Sequence, residues 1–162
     1  MSKGFLQKFE FDSYTVVYNP ENFSILCKRQ PENKNIWIIK IDEGGFINGI
    51  VHDDENFYIA IEYDDKSGIF WAIGKEDGIT KWTIPGKAYV YEVFDNYLYL
   101  IFIDNNDIYY LIKVNSSDGS KVWYHEVDID LHRYSINRQR VLLEYLDGRV
   151  EILSSATGDL IN

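Results

Sequence analysis

The sequence predicts an all-β chain, a small propeller-like array of about four antiparallel blades in one domain spanning residues 1–162. Three observations predict it. Ile and Val together number 31 against 4 Ala, with 26 aromatic residues beside them, so the types that suit a pleated surface outweigh the helix formers. Apolar positions alternate at a period of two, and Gly, Pro, Asn and Asp break the pattern at short intervals. A loop ending in Gly leads toward an aromatic or apolar strand three times, at Gly78 before Trp82, Gly119 before Trp123 and Gly158 before Ile161. Gly78 stands 41 residues before Gly119, and Gly119 stands 39 before Gly158. A period near 40 to 45 residues is that of a four-stranded blade.

The elements follow in order. Residues 6–11, 15–18, 24–28 and 36–41 form a diverged first set of strands, whose last strand carries Trp37, 45 residues before Trp82 but with no Gly turn ahead of it. Residues 46–51, 57–63, 69–73 and 81–84 form the second set, and 89–94, 97–103, 108–114 and 121–127 the third. The pairs Asn56-Phe57 and Asn96-Tyr97 stand 40 residues apart, so the second and third sets repeat one order. A fourth set has three strands, 133–136, 141–145 and 149–153, after which Thr157 and Gly158 turn the chain into a stub ending at Asn162. The strand at 6–11 is a candidate to complete that last blade and close the array, removing an edge open to aggregation. A chain of 162 residues suits one domain and is short for two.

Composition narrows the function. Sixteen basic against 26 acidic residues leave a net charge of −10, which repels nucleic acid and anionic lipid and favours a basic protein partner. Residues 1–10 carry Lys3 and Lys8 around Phe5-Leu6, without the apolar core of a secretion signal. The longest apolar run, 97–103, is well short of the roughly 18 residues a membrane span needs. Cys27 is the one cysteine, and it reads as a small buried hydrophobe in a reducing, cytoplasmic setting. His52, His125 and His132 match no metal-ligand or nucleophile spacing, so no metal, cofactor or catalytic residue is expected.

The turn residues and tryptophans carry a resemblance. Asp77-Gly78 to Trp82, Asp118-Gly119 to Trp123 and Ala156-Thr157-Gly158 resemble the pyrroloquinoline-quinone-type, WD-like propeller repeat, over about residues 46–162. That resemblance implies Trp82 and Trp123 as packing elements between blades. The quinone of that family sits in much larger propellers, and no quinone site is carried over to this chain.

Acidic turns are the remaining candidates for a binding surface. By the strand order, Asp64, Asp65, Asp104, Asp107 and Asp147 lie in second-to-third-strand turns, and Asp128 and Asp130 in the connection before the fourth set. Those turns and that connection share one end of a propeller-type array, where grouped carboxylates steer a basic partner. Trp71, Tyr109 and Tyr110, on the strands leaving those turns, are candidate aromatic anchors. The alternative for each Asp is turn chemistry, since Asp bonds its own backbone. None of these acidic turns has the alternating oxygen spacing and closing Glu of a calcium loop.

The resulting expectation is a non-catalytic protein-binding module. In its sharpest form it is similar to small acidic bacterial immunity proteins, binding a basic, nuclease-type toxin and occluding its active site. A structural propeller-repeat scaffold subunit of a larger complex is the alternative. A carboxylate-dependent hydrolase is the third reading, and it needs a carboxylate in a cleft, whereas all candidates fall in turns.

Overall fold

A computed structural model describes residues 5–161, apart from the side chains of residues 90 and 91; residues 1–4 and Asn162, part of the expected N-terminal segment and stub, lie outside them. Among the described residues the chain is all strand and turn. Fifteen strands form four antiparallel meanders. The first sheet holds β1 (Gln7–Glu10), β2 (Tyr14–Asn19), β3 (Ser24–Arg29) and β4 (Lys34–Lys40). The second holds β5 (Phe46–His52), β6 (Asn56–Glu62), β7 (Gly68–Gly74) and β8 (Thr80–Pro85). The third holds β9 (Lys87–Phe94), β10 (Tyr97–Ile103), β11 (Tyr109–Asn115) and β12 (Lys121–Val127). The fourth holds β13 (Leu131–Ile136), β14 (Arg140–Tyr145) and β15 (Val150–Ser154).

The four strand sets read from the sequence are the four sheets. β1 is the first strand of its own sheet, paired with β2 through Gln7 opposite Tyr18, and is not a strand of the last sheet. The edge of β15 instead meets the C-terminal stub, through a single bridge between Leu153 and Leu160 and a hydrogen bond from Ile161 N to the Ile152 carbonyl, 2.7 Å.

By its contacts the chain divides into two compact units, Met1–Ala88 and Tyr89–Asn162. In the first, Val16, Ile25, Cys27, Phe57, Ile59 and Ile73 form a core without solvent exposure. In the second, Tyr99, Leu111, Trp123, Val141, Leu143 and Leu153 do the same work. Residues of β6 from Phe57 to Ile61 are all buried, because that strand is covered on both faces and its sequence runs apolar without a break. β8 and β12, last in their sheets, alternate half-buried or buried positions with exposed ones, which is the pattern of a strand with one wet face.

One local device recurs and explains the sequence period. The turns ahead of β8, β12 and the stub have the same hydrogen bonds: Gly78 N to the Gly74 carbonyl, Gly119 N to the Asn115 carbonyl and Gly158 N to the Ser154 carbonyl, 2.9, 2.9 and 2.8 Å. Gly78, Gly119 and Gly158 each have a left-handed φ, near +66, +72 and +76°. In the first sheet Asn33, four residues before Trp37, takes a left-handed φ of +54°, so asparagine stands where the later turns use glycine. Trp37, Trp82 and Trp123 then pair with Cys27, Ala72 and Lys113, in each case beside a register shift in the strand pair. A bulge there turns the strand and aims the ring.

Candidate functional site

The tryptophans are fastened to the turn of the following sheet within each unit. In the first unit Trp37 Nε1 donates to the Lys75 carbonyl at 2.7 Å, and its ring lies on Gly78 so closely that a methyl group there would be 2.7 Å away. In the second unit Trp123 Nε1 donates to the Ser155 carbonyl at 3.0 Å, and its ring lies on Gly158 with the same 2.7 Å clearance. Trp123 therefore packs between sheets, as its resemblance implies. Trp82 is half-buried, with its ring 5.8 Å from both Tyr58 and Phe70 of its own sheet. Gly78 stands ahead of Trp82 in sequence, but in space it receives Trp37 of the sheet before.

The acidic turns perform turn chemistry first. Asp64 Oδ1 accepts from Lys66 N and Ser67 N at 2.8 and 2.7 Å, and Asp104 Oδ1 from Asn106 N and Ile108 N at 2.8 and 3.0 Å. Asp53, Asp77, Asp118 and Asp147 each accept the amide two residues on, as do Asn19 and Asn137. This Asx geometry satisfies amides a tight turn leaves without a strand partner. The Ser67 hydroxyl and the amides of residues 66 and 67 hold the Asp64 carboxyl below the usual range. Asp107 sits in the same turn as Asp104 with φ +62°, donating its amide to the Asp104 carbonyl at 3.1 Å. Asp65 contributes its carbonyl, which accepts from Lys87 Nζ at 3.3 Å.

The expected site residues fall in both units: Asp64, Asp65 and Trp71 in the first, Asp104, Asp107, Tyr109, Tyr110, Asp128, Asp130 and Asp147 in the second. Trp71 is half-buried against the first core and donates Nε1 to Thr80 Oγ1 at 2.7 Å, and Tyr109 packs against the second core, so both are used in packing. Tyr110 stays near the surface, edge-on to the exposed Tyr124 at 5.7 Å. Partial burial, then Asp104 and Glu126, push its phenol up.

The connection β12–β13 and the turn β14–β15 come together in the second unit. Leu146 N donates to the Asp130 carbonyl at 3.0 Å, and Leu131 N closes the connection onto the Asp128 carbonyl at 3.1 Å. Arg149, a residue the sequence reading did not single out, ties the acids of both loops. Its guanidinium bonds Asp147 at 2.7 Å and Asp128 at 2.5 Å, lies 3.8 Å from Asp130 and covers the Tyr145 ring at 4.6 Å. That pairing holds Asp147 low and Arg149 high. Between the acids stand Ile129 and Leu146, 78% and 70% exposed. Three carboxylates sharing one guanidinium are less negative than their count, and the local surface is an apolar pair with an ionic rim.

The histidines are placed by their neighbours. His52 Nδ1 lies 2.9 Å from Lys75 Nζ, with its ring edge-on to Phe11 at 4.7 Å. His125 Nε2 meets Glu151 Oε2 at 3.2 Å, and the same oxygen accepts from the Tyr145 hydroxyl at 2.7 Å. Cys27 is fully buried, and burial pushes its thiol up to about 12.

A search of protein-family models and one of curated proteins match nothing to this chain. Solved structures do match. A europium-containing methanol dehydrogenase aligns with a TM-score of 0.74 at 10% identity, over 96% of this chain and 40% of that one. Hsv2 of Kluyveromyces lactis aligns with a TM-score of 0.64 at 11% identity, over 98% of this chain and 50% of its own. The computationally designed protein Ika4 aligns with a TM-score of 0.65 at 8% identity, over 95% of this chain and 93% of its own. The chain thus spans about two fifths to one half of the two natural proteins and nearly all of the designed one. At these identities the likeness shows the fold alone, and the chain has an all-β, propeller-like fold of four antiparallel sheets.

Proposed function

We propose that this chain is a non-catalytic propeller-repeat module that works by binding another protein. The observation that carries the proposal is the exposed apolar pair Ile129 and Leu146, held on two loops that are hydrogen-bonded to each other and rimmed by Asp128, Asp130, Asp147 and Arg149. Large apolar side chains fixed in the open, with a polar rim, are the make-up of an interface centre. Fixed loops also lower the ordering cost of association. The edge of β15 adds to this reading: its bridge to the stub is single, and Val150 is 54% exposed along it. An edge of that kind suits a scaffold subunit that pairs with further strands.

The narrower reading is a cytoplasmic immunity protein occluding a basic, nuclease-type toxin. It is supported by the net charge of −10 and by the acids of the rim. Arg149 offsets part of that rim charge, so the scaffold reading carries the greater weight. The test is affinity capture from the source cells with Ile129→Ser/Leu146→Ser beside an Ile38→Ser control, a change of the same kind at a 61% exposed site of the first unit. Loss of a stoichiometric partner with the double variant alone supports the proposal, and equal capture by all three proteins refutes it. Retention falling steeply with salt marks the toxin reading, whereas salt-insensitive retention marks the scaffold.

A further inference from the structure

The second unit contains a cleft that the binding face does not use. It has a volume of about 300 Å³ and lies between the third and fourth sheets, lined by Tyr97, Tyr99, Lys113, Val122, Arg138 and Ser155. That volume is at the lower end of what small-ligand sites enclose, roughly 300 to 1,000 Å³. Lys113 is the informative residue. It is only 6% exposed, and its ammonium donates to the Ser155 carbonyl at 2.7 Å and rests on the Tyr97 ring at 4.0 Å. The Ser155 carbonyl already takes Trp123 Nε1, and the Ser155 hydroxyl meets the Tyr99 hydroxyl at 3.0 Å.

An ammonium carries three donors, and one carbonyl fills one of them. Among the described residues no carboxylate comes within salt-bridge distance of Lys113 Nζ; Asp95 acts on it from further away and is itself paired with Arg138 at 3.3 Å. A nearly buried cation without a paired anion is costly, and an incoming anion relieves that cost. Burial holds the Lys113 amine below its usual value, as it does any cation short of a counter-charge. The first unit shows the contrast. There Lys75 Nζ lies over the Tyr14 ring at 5.6 Å, with His52 Nδ1 beside it at 2.9 Å and the charges of Asp53 and Asp54 near by. Both inter-sheet walls thus set a lysine ammonium over the tyrosine that opens a second strand, but Lys75 stands by an imidazole and two carboxylates in an acid-lined cleft, whereas Lys113 has Asp95 as its one acidic influence. On a chain of net charge −10, two cations against one carboxylate make this a positive spot.

We propose that the cleft binds a small monocarboxylate, with its charged group held by Lys113 and Arg138 and its apolar body against Tyr97 and Val122. A monoanion matches the single excess positive charge of Lys113, Arg138 and Asp95, and the aromatic and aliphatic walls favour an organic acid over an inorganic ion. The cleft is separate from the Ile129–Leu146 face, and binding here stands or falls independently of it.

The test is calorimetric titration of the purified chain with benzoate, and with inorganic phosphate as the contrast. Benzoate is expected to bind at one site. Lys113→Met is expected to weaken it by about 10- to 100-fold, the range for one hydrogen bond to a charged group. Arg138→Gln, a change at a residue with a 79% exposed side chain, is expected to weaken it several-fold and leave thermal unfolding unchanged. Absence of benzoate binding overturns the proposal, as does binding that both variants share with the parent or phosphate binding as tight as benzoate. Should Lys113→Met not fold, unchanged benzoate affinity of Arg138→Gln is sufficient to overturn it.

Discussion

The contact between Trp123 and Gly158 predicts a specific non-additivity. Trp123 is 6% exposed, and its removal to Ala costs about 3–5 kcal/mol for a buried aromatic ring. Gly158→Ala carries two separate penalties. The left-handed φ of +76° costs a side chain about 1–2 kcal/mol. The added methyl, 2.7 Å from the indole, costs a further 1–3 kcal/mol, roughly, for overpacking. Only the second depends on the ring. In a Trp123→Ala background, Gly158→Ala should therefore cost about 1–2 kcal/mol, and the double variant should be more stable than the sum of the singles by roughly 1–3 kcal/mol. Urea unfolding of the parent, the two singles and the double measures this, with the slope checked for two-state behaviour. Additivity within about 0.5 kcal/mol would refute the packing of Trp123 on the following turn.

Two further outcomes follow from the titrating groups. Asp64, Asp77, Asp118 and Asp147 are held below 3.8, by Ser67, the Ile79 amide, Ser120 and Arg149 respectively, so the stability each contributes is whole above that pH and is lost as pH falls toward the folded values. Replacing all four with Asn keeps an oxygen for each turn amide and should flatten the fall of the thermal midpoint below pH 3.8; an acid limb as steep as the parent's would refute the assignment. The Cys27 thiol, fully buried and pushed up to about 12, should resist alkylation at neutral pH in the folded chain and react at once in denaturant, and native labelling at the denatured rate would show that the first core is not closed over it.

Much of the fold could be read from the sequence because its signals are local. Strand periodicity and Asx or glycine turns act over a few residues, and all four strand sets were legible within a residue or two of their ends. The missing glycine ahead of Trp37 reads in sequence as a departure from the repeat, and only the structure shows Asn33 there with a left-handed φ of +54°. The binding surface was less so. An acid that bonds its own turn amides and an acid that faces a partner look alike in sequence, and Asp64 and Asp104 are the former at least. Arg149 pairs with Asp128 across 21 positions, a distance at which sequence gives no hint. Trp71 and Tyr109 follow acidic turns, but whether a ring on a strand faces water or core depends on what covers that sheet, and here both are packed.

Each tryptophan latch joins residues 38 or 32 positions apart, from the last strand of one sheet to the turn of the next. Within each unit the two repeats therefore overlap like roof tiles. A graft that exchanges a single sheet cuts through a latch wherever its borders are drawn, parting an indole from its carbonyl. Two consecutive sheets are the smallest cassette that travels with a whole one, and each compact unit of this chain holds such a pair, Trp37 with Gly78 and Trp123 with Gly158. Recombination or duplication that respects the overlap would move sheets in twos.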